Sequence, residues 1–301
     1  MMPVASSVAS SQNRRDPLSP GQFGQIRETK DSPPARSYRV SARELADIAG
    51  RLSDLDGEVL ELVARTRLCS GRQLQRAFWF TGTLVTRERR ARQALKRLTD
   101  RRVLDRLPRV VGGVRSGSAG FVYGVGAVGA RLLAEGGGRG RRLGTPGARY
   151  VDHTLAAAEL VVELMEAERA GRLEVLEIAT EPTCWRPFAG ALGARLTLKP
   201  DLFVRIGVGS FEDRWFVEVD RATEAAPTIT AKGRRYLDHF RSGSEQGAHG
   251  VYPRVLWSVP DAARAQVVAD ALAQLPGTAV GLFAVCCHDA VIARLAEEAG
   301  S

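Results

Sequence analysis

The chain has 301 residues, 44% hydrophobic and 26% charged, which excludes a low-complexity chain and leaves room for about two domains. Its formal net charge of +9, supplied almost wholly by arginine, favours nucleic acid or another anionic surface as partner. No run approaches the roughly 18 apolar residues of a membrane span and no signal-peptide core stands at the N-terminus, so a cytoplasmic protein without a membrane partner is expected.

Residues 1–50 are rich in Ser, Pro, Gln and Arg and lack apolar periodicity. A disordered tail is expected there, dispensable for folding. The first domain is expected over 51–135. Ser53 with Asp56 reads as a capping box, and Leu55, Val59, Leu62 and Val63 share one helical face. Ser70 with Gln73 caps a second short helix that buries Leu74 and Phe78. A third helix is expected over 86–102, with Ala91, Leu95 and Leu98 inward. Its outer face carries Arg89, Arg92, Gln93, Lys96 and Arg97. Extended segments follow at 103–111 and 120–125, joined by a basic glycine-serine tip that contains Arg115. Three helices and then a β-hairpin is the order of a winged helix-turn-helix. One more helix is expected near 127–134.

Glycine and arginine dominate 136–149, which reads as a linker. The second domain is expected over 150–298. It opens with a helix to about 170, followed by extended stretches at 173–179, 195–208 (interrupted by Pro200) and 214–219. A helix at 226–241, a strand at 254–259, a helix at 262–275 and a strand at 280–286 complete an αβββαβ core. The predicted class is therefore α+β or α/β: a winged helix-turn-helix followed by a restriction-endonuclease-like domain. Cys69, Cys184, Cys286 and Cys287 form no C-x-x-C pair and read as core thiols.

Residues 86–102 hold eight Arg or Lys and two acids. On a recognition helix such residues reach phosphates and guanine edges, and Gln reads adenine. Double-stranded DNA is the expected partner, through Arg89, Arg92, Gln93, Lys96, Arg97 and the tip residue Arg115. The plainer alternative is a solvated basic face, or a winged helix that binds protein.

Lys199-Pro-Asp201 begins one apolar run, and Glu218-Val-Asp220 ends another. Glu218 and Asp220 are two apart on a strand and share a face. Asp201, Glu218 and Asp220 are the candidate catalytic and metal-ligating residues, suited to Mg²⁺ or Mn²⁺. The pattern resembles the PD-(D/E)xK nuclease superfamily, with Asp220 where that motif has lysine. Lys232, on the following helix, is the candidate replacement. His153, Glu159 and Glu224 are candidate lining residues. The alternative is a degenerate nuclease fold whose acids pair with Arg221, Arg234 or Arg235.

The chain also resembles the replication-relaxation family of actinobacterial and plasmid-borne proteins over about residues 53–290. The resemblance rests on the helix-turn-helix, Gly117-Ser-Ala-Gly-Phe-Val-Tyr-Gly-Val-Gly126 before Gly129-Ala-Arg-Leu-Leu133, His153-Thr-Leu-Ala-Ala-Ala-Glu-Leu160, Lys199-Pro-Asp201, and Glu218-Val-Asp-Arg-Ala-Thr-Glu224 with Lys232 and Tyr236. The family pattern has Gly where Ala222 stands, which reads as a minor change. The resemblance implies a factor for replication, relaxation or transfer of a plasmid or mobile element, working with a relaxase or replication initiator protein. Two other readings remain: a metal-dependent endonuclease or nickase, and a transcriptional regulator whose C-terminal domain binds a partner.

Overall fold

The computed structural model describes residues 40–107, 120–137, 148–190, 193–276 and 281–297. Its first helix, α1 (Ala42–Ala49), is capped by Ser41 and buries Leu45. Val40 is also buried, and its carbonyl accepts a hydrogen bond from Arg131. The tail expected over 1–50 therefore does not take in residues 40–50, and residues 1–39 lie outside the described residues. One buried leucine in an eight-residue helix is too little periodicity to register in sequence.

Helix α2 (Asp54–Thr66) starts at Ser53, whose hydroxyl caps Asp56 N–H while the Asp56 carboxylate accepts from Ser53 N–H. Strand β1 (Leu68–Ser70) leads into α3 (Gly71–Phe78), which has the same reciprocal cap between Ser70 and Gln73. Helix α4 (Leu84–Asp100) is capped by Thr83 and buries Ala91, Ala94, Leu95 and Leu98. Strands β2 (Leu104–Arg106) and β3 (Val122–Val125) pair antiparallel, and β1 joins the other edge of β3, giving the order β1-β3-β2. The connecting tip with Arg115 lies outside the described residues, as do 138–147 of the expected linker. Helix α5 (Ala127–Glu135) packs its glycine face on the turn before β2: a Cβ on Gly129 would lie 2.2 Å from Val103 O.

Helix α6 (Ala148–Arg169) then covers one face of a five-stranded mixed sheet of order β10-β9-β8-β7-β4. Its strands are β4 (Glu174–Thr180), β7 (Leu202–Val208), β8 (Phe211–Val219), β9 (Arg254–Val259) and β10 (Phe283–Cys287). Pairs β4/β7 and β7/β8 are antiparallel; β8/β9 and β9/β10 are parallel. The parallel pairs need crossovers, supplied by α7 (Ala226–Arg241) with α8 (Ser244–His249), and by α9 (Ala262–Ala273). Successive side chains face opposite ways. Val204, Trp215 and Val217 pack with α6, while Phe203, Phe216 and Trp257 pack with α7 and α9. Helix α10 (Val291–Ala296) closes the α6 side.

The stretch expected as one interrupted strand over 195–208 is two strands in different sheets. Strand β6 (Arg195–Leu198) pairs with β5 (Arg186–Ala189) in a separate ribbon, and Lys199-Pro200-Asp201 redirects the chain into β7. The mixed helix and strand content matches the expected α+β class.

Candidate functional site

The β7/β8 register places Leu202 opposite Val217, so the residues just beyond, Asp201 and Glu218, face each other on the α7 side of the sheet. Both are buried. Asp201 Oδ2 accepts a 2.7 Å bond from Val219 N–H, and Oδ1 lies 3.0 Å from His153 Nε2 on α6. Glu218 Oε1 accepts from the Tyr236 hydroxyl at 2.5 Å, and Oε2 from Lys232 Nζ at 3.1 Å. Lys232 also reaches Glu224 Oε1 at 3.1 Å. The two α7 residues, four apart, therefore hold one carboxylate from both sides. His153, Asp201, Glu218, Glu224 and Lys232 line a cleft of about 480 Å³.

Asp220 lines the same cleft but its carboxylate turns away. Its Oδ2 takes 3.0 and 2.6 Å bonds from the Arg264 guanidinium of α9, and Oδ1 accepts from Ala222 N–H. Arg264 also donates to Glu224 O at 2.7 Å. Three converging carboxylates were expected; two converge, and the third is an anchor for α9. The cationic side chain paired with Asp220 is Arg264, in place of Lys232, Arg221, Arg234 or Arg235. Sequence gave no sign of Arg264, which lies 44 residues away in the chain. Tyr236, part of the family resemblance but not among the candidate site residues, places its hydroxyl on Glu218.

Burial raises the Glu218 pKa to about 7, reinforced by the charge on Asp201 and opposed by Lys232 and Tyr236. Lys232 loses by burial, but the charges of Glu218, Asp201 and Glu224 outweigh that loss and hold its pKa above the usual value. The hydrogen bond to Asp201 raises His153 in turn. A divalent cation competes with side-chain cations for the same carboxylates. Here those of Asp201, Glu218 and Asp220 are all engaged, and among the described residues no group of three His, Cys, Asp or Glu is placed to hold a metal ion. As arranged, the residues do not fit Mg²⁺ or Mn²⁺. Lys232 Nζ lies 3.1 Å from Glu218 and the Arg264 guanidinium 2.6 Å from Asp220, so their positive charge stands against a metal at these carboxylates.

Glu159 does not line this cleft. It binds Arg76 of α3 and accepts 2.9 Å from Gln73 Nε2, tying α6 to the helical half of the chain.

On α4, Arg89, Arg92, Gln93, Lys96 and Arg97 are all exposed, as is Arg90. Arg97 is nevertheless structural, since it pairs at 2.6 Å with buried Asp56 and so joins α4 to the cap of α2. Lys96 pairs with Asp100 at 2.6 Å on the surface, a contact that solvent weakens. Arg89 and Arg90 make no ion pair among the described residues.

Fold and site together define a mixed α+β protein that presents a basic helical face and, elsewhere, a carboxylate-lysine cleft. A family model described as Replication-relaxation matches residues 60–255, and the chain belongs to that family. Membership suggests a role in the replication or relaxation of plasmids or mobile elements. No curated protein and no solved structure matches the chain. No helix among the described residues is long and apolar enough to cross a membrane.

Proposed function

We propose that this protein is a DNA-binding accessory factor for replication, relaxation or transfer of a plasmid or mobile element, acting beside a relaxase or replication initiator. The carrying observation is α4: a buried inner stripe opposite a face where Arg89, Arg92, Gln93 and Lys96 stand in solvent. The order α2-β1-α3-α4-β2-β3 is that of a winged helix-turn-helix with α4 as recognition helix, which supports the reading. The αβββαβ order of α6, β4, β7, β8, α7 and β9 supports reading this half as a PD-(D/E)xK-like platform, with Lys232 and Arg264 paired to its acids. Each phosphate neutralised contributes a slope of about −0.9 to log K against log salt. Replacing Arg89, Arg92 and Lys96 together by Ala is expected to weaken duplex binding at least tenfold and flatten that slope by about 2 to 3. Unchanged affinity in a salt titration would remove α4 from the DNA interface.

A metal-dependent endonuclease is the second reading, favoured by Asp201, Glu218 and Lys232 meeting in one cleft. It requires Lys232 to release Glu218. Incubating the protein with supercoiled plasmid and Mg²⁺ or Mn²⁺ tests it, with Asp201→Ala as control. Nicking by the wild type alone would establish the enzyme and replace the platform reading.

A further inference from the structure

The outward face of α4 carries more than charge. Val85, Arg89, Arg92 and Lys96 fall at i, i+4, i+7 and i+11, one line along the helix. The line begins in the first helical turn with Val85, which is 72% exposed, beside Leu84 at 56%. Among the described residues the core of this half is already filled by Ala91, Leu95 and Leu98, and none of it calls for an aliphatic side chain at Val85.

The occupant of such a line is anionic, because Arg89, Arg92 and Lys96 outnumber Glu88 and Asp100 on this side and the positive end of the helix dipole lies at Val85. A second copy would bring the same cations and repel. Duplex DNA is a polyanion whose major groove also displays methyl groups, on C5 of thymine. Resting on the DNA-binding reading of α4, we propose that Val85 reads a pyrimidine C5-methyl group, thymine in unmodified DNA, while Arg89, Arg92 and Lys96 fix the helix on flanking phosphates or guanines. Leu84 flanks this contact.

The test uses the full chain. Preferred duplexes are selected from a randomised pool, and each thymine of the site is replaced by deoxyuridine, which removes only the methyl group. At one or two positions the wild type is expected to lose about fourfold in affinity, the effect of withdrawing one buried methyl-sized group. Val85→Ser, at an exposed position, should keep the wild-type melting temperature and bind the thymine and uracil forms alike. Arg89→Ala should weaken binding to both forms equally and preserve their ratio. A parallel series with 5-methyl-dC separates the two sources of the methyl group: tighter binding there, lost in Val85→Ser, would assign the contact to methylated cytosine. Wild-type binding indifferent to both methyl groups would overturn the role of Val85 and leave DNA binding intact. Absence of binding to any duplex would overturn both. Self-association abolished by Val85→Ser, with base discrimination unchanged, would make the patch a protein contact instead.

Discussion

Ala222 holds a left-handed backbone, with φ of 57°, one residue after the Asp220-Arg221 step. There its N–H meets the Asp220 carboxylate. An L-residue in this region pays for crowding of its Cβ against the backbone, and glycine does not. The alanine that reads as a minor departure from the family pattern is thus a strained one. Ala222→Gly is expected to stabilise the chain by about 1 kcal/mol after the extra unfolded-state entropy of glycine is deducted. Urea unfolding measures it; a lower midpoint for the glycine variant would contradict the assignment of strain. Glu218 gives a second residue-scale effect. It ionises from 4.5 in the unfolded chain and about 7 in the folded one. Between those values the folded chain binds more protons, so stability falls as pH rises, and the penalty is complete above pH 7. The expected loss is on the order of 3 kcal/mol. Glu218→Gln should flatten the stability profile between pH 4.5 and 7 and leave it unchanged at pH 4. A wild-type profile that instead rises across this window would show the carboxylate to be stabilised in its charged form.

At the scale of elements, close approach fixes α5. Gly129 sits where a Cβ would lie 2.2 Å from Val103 O and 2.8 Å from Leu60 Cδ1. The carbonyl belongs to backbone and cannot swing aside, so Gly129→Ala should cost on the order of 3 kcal/mol and lower Tm by roughly 10 °C. A loss within a degree or two in a thermal melt would show that α5 slides freely. Elements with local causes are the ones legible in sequence. The capping boxes at Ser53 and Ser70 and the buried stripe of α4 depend on residues three or four apart, and they are readable. Asp201 and Glu218 are readable as strand-end carboxylates, and Lys232 as their neighbour on α7. Strand β1, three residues long, carries no period. The β5–β6 ribbon is local, yet its four-residue strands are too short to carry a clear period, and the Arg264–Asp220 pair joins residues 44 apart, which no window of sequence spans. Arg97 looks like a DNA reader by helical position, and only the packing of α2 on α4 gives it to Asp56.

At the scale of the whole molecule, the two domains expected on either side of residues 136–149 share one hydrophobic core among the described residues. Residues 40–301 group as one unit. Leu74 and Leu98 of the helical half belong to the same cluster as Val161, Val204 and Trp215 of the sheet half. Polar ties accompany it: Arg76 reaches Glu166 at 3.0 Å and also binds Glu159, while Arg169 donates to Ala77 O at 2.7 Å. A shared core makes unfolding cooperative, so calorimetry should show a single transition for residues 40–301. Arg76→Ala tests the tie directly. It strips the partner from two carboxylates, next to Glu163, whose pKa burial already lifts to about 7. The Arg76 side chain is 25% exposed, so the cost falls short of the roughly 3–5 kcal/mol of a fully buried pair, at about 2 kcal/mol. Without the arginine, Glu166 loses the hydrogen bond that holds its pKa low and Glu163 loses an opposing charge, so both titrate higher in the folded chain and the loss is larger at pH 8 than at pH 5. The expected record is one transition, shifted down by several degrees at pH 8 and less at pH 5. Two separated transitions in the variant would mean that the halves fold independently and that the shared core contributes little.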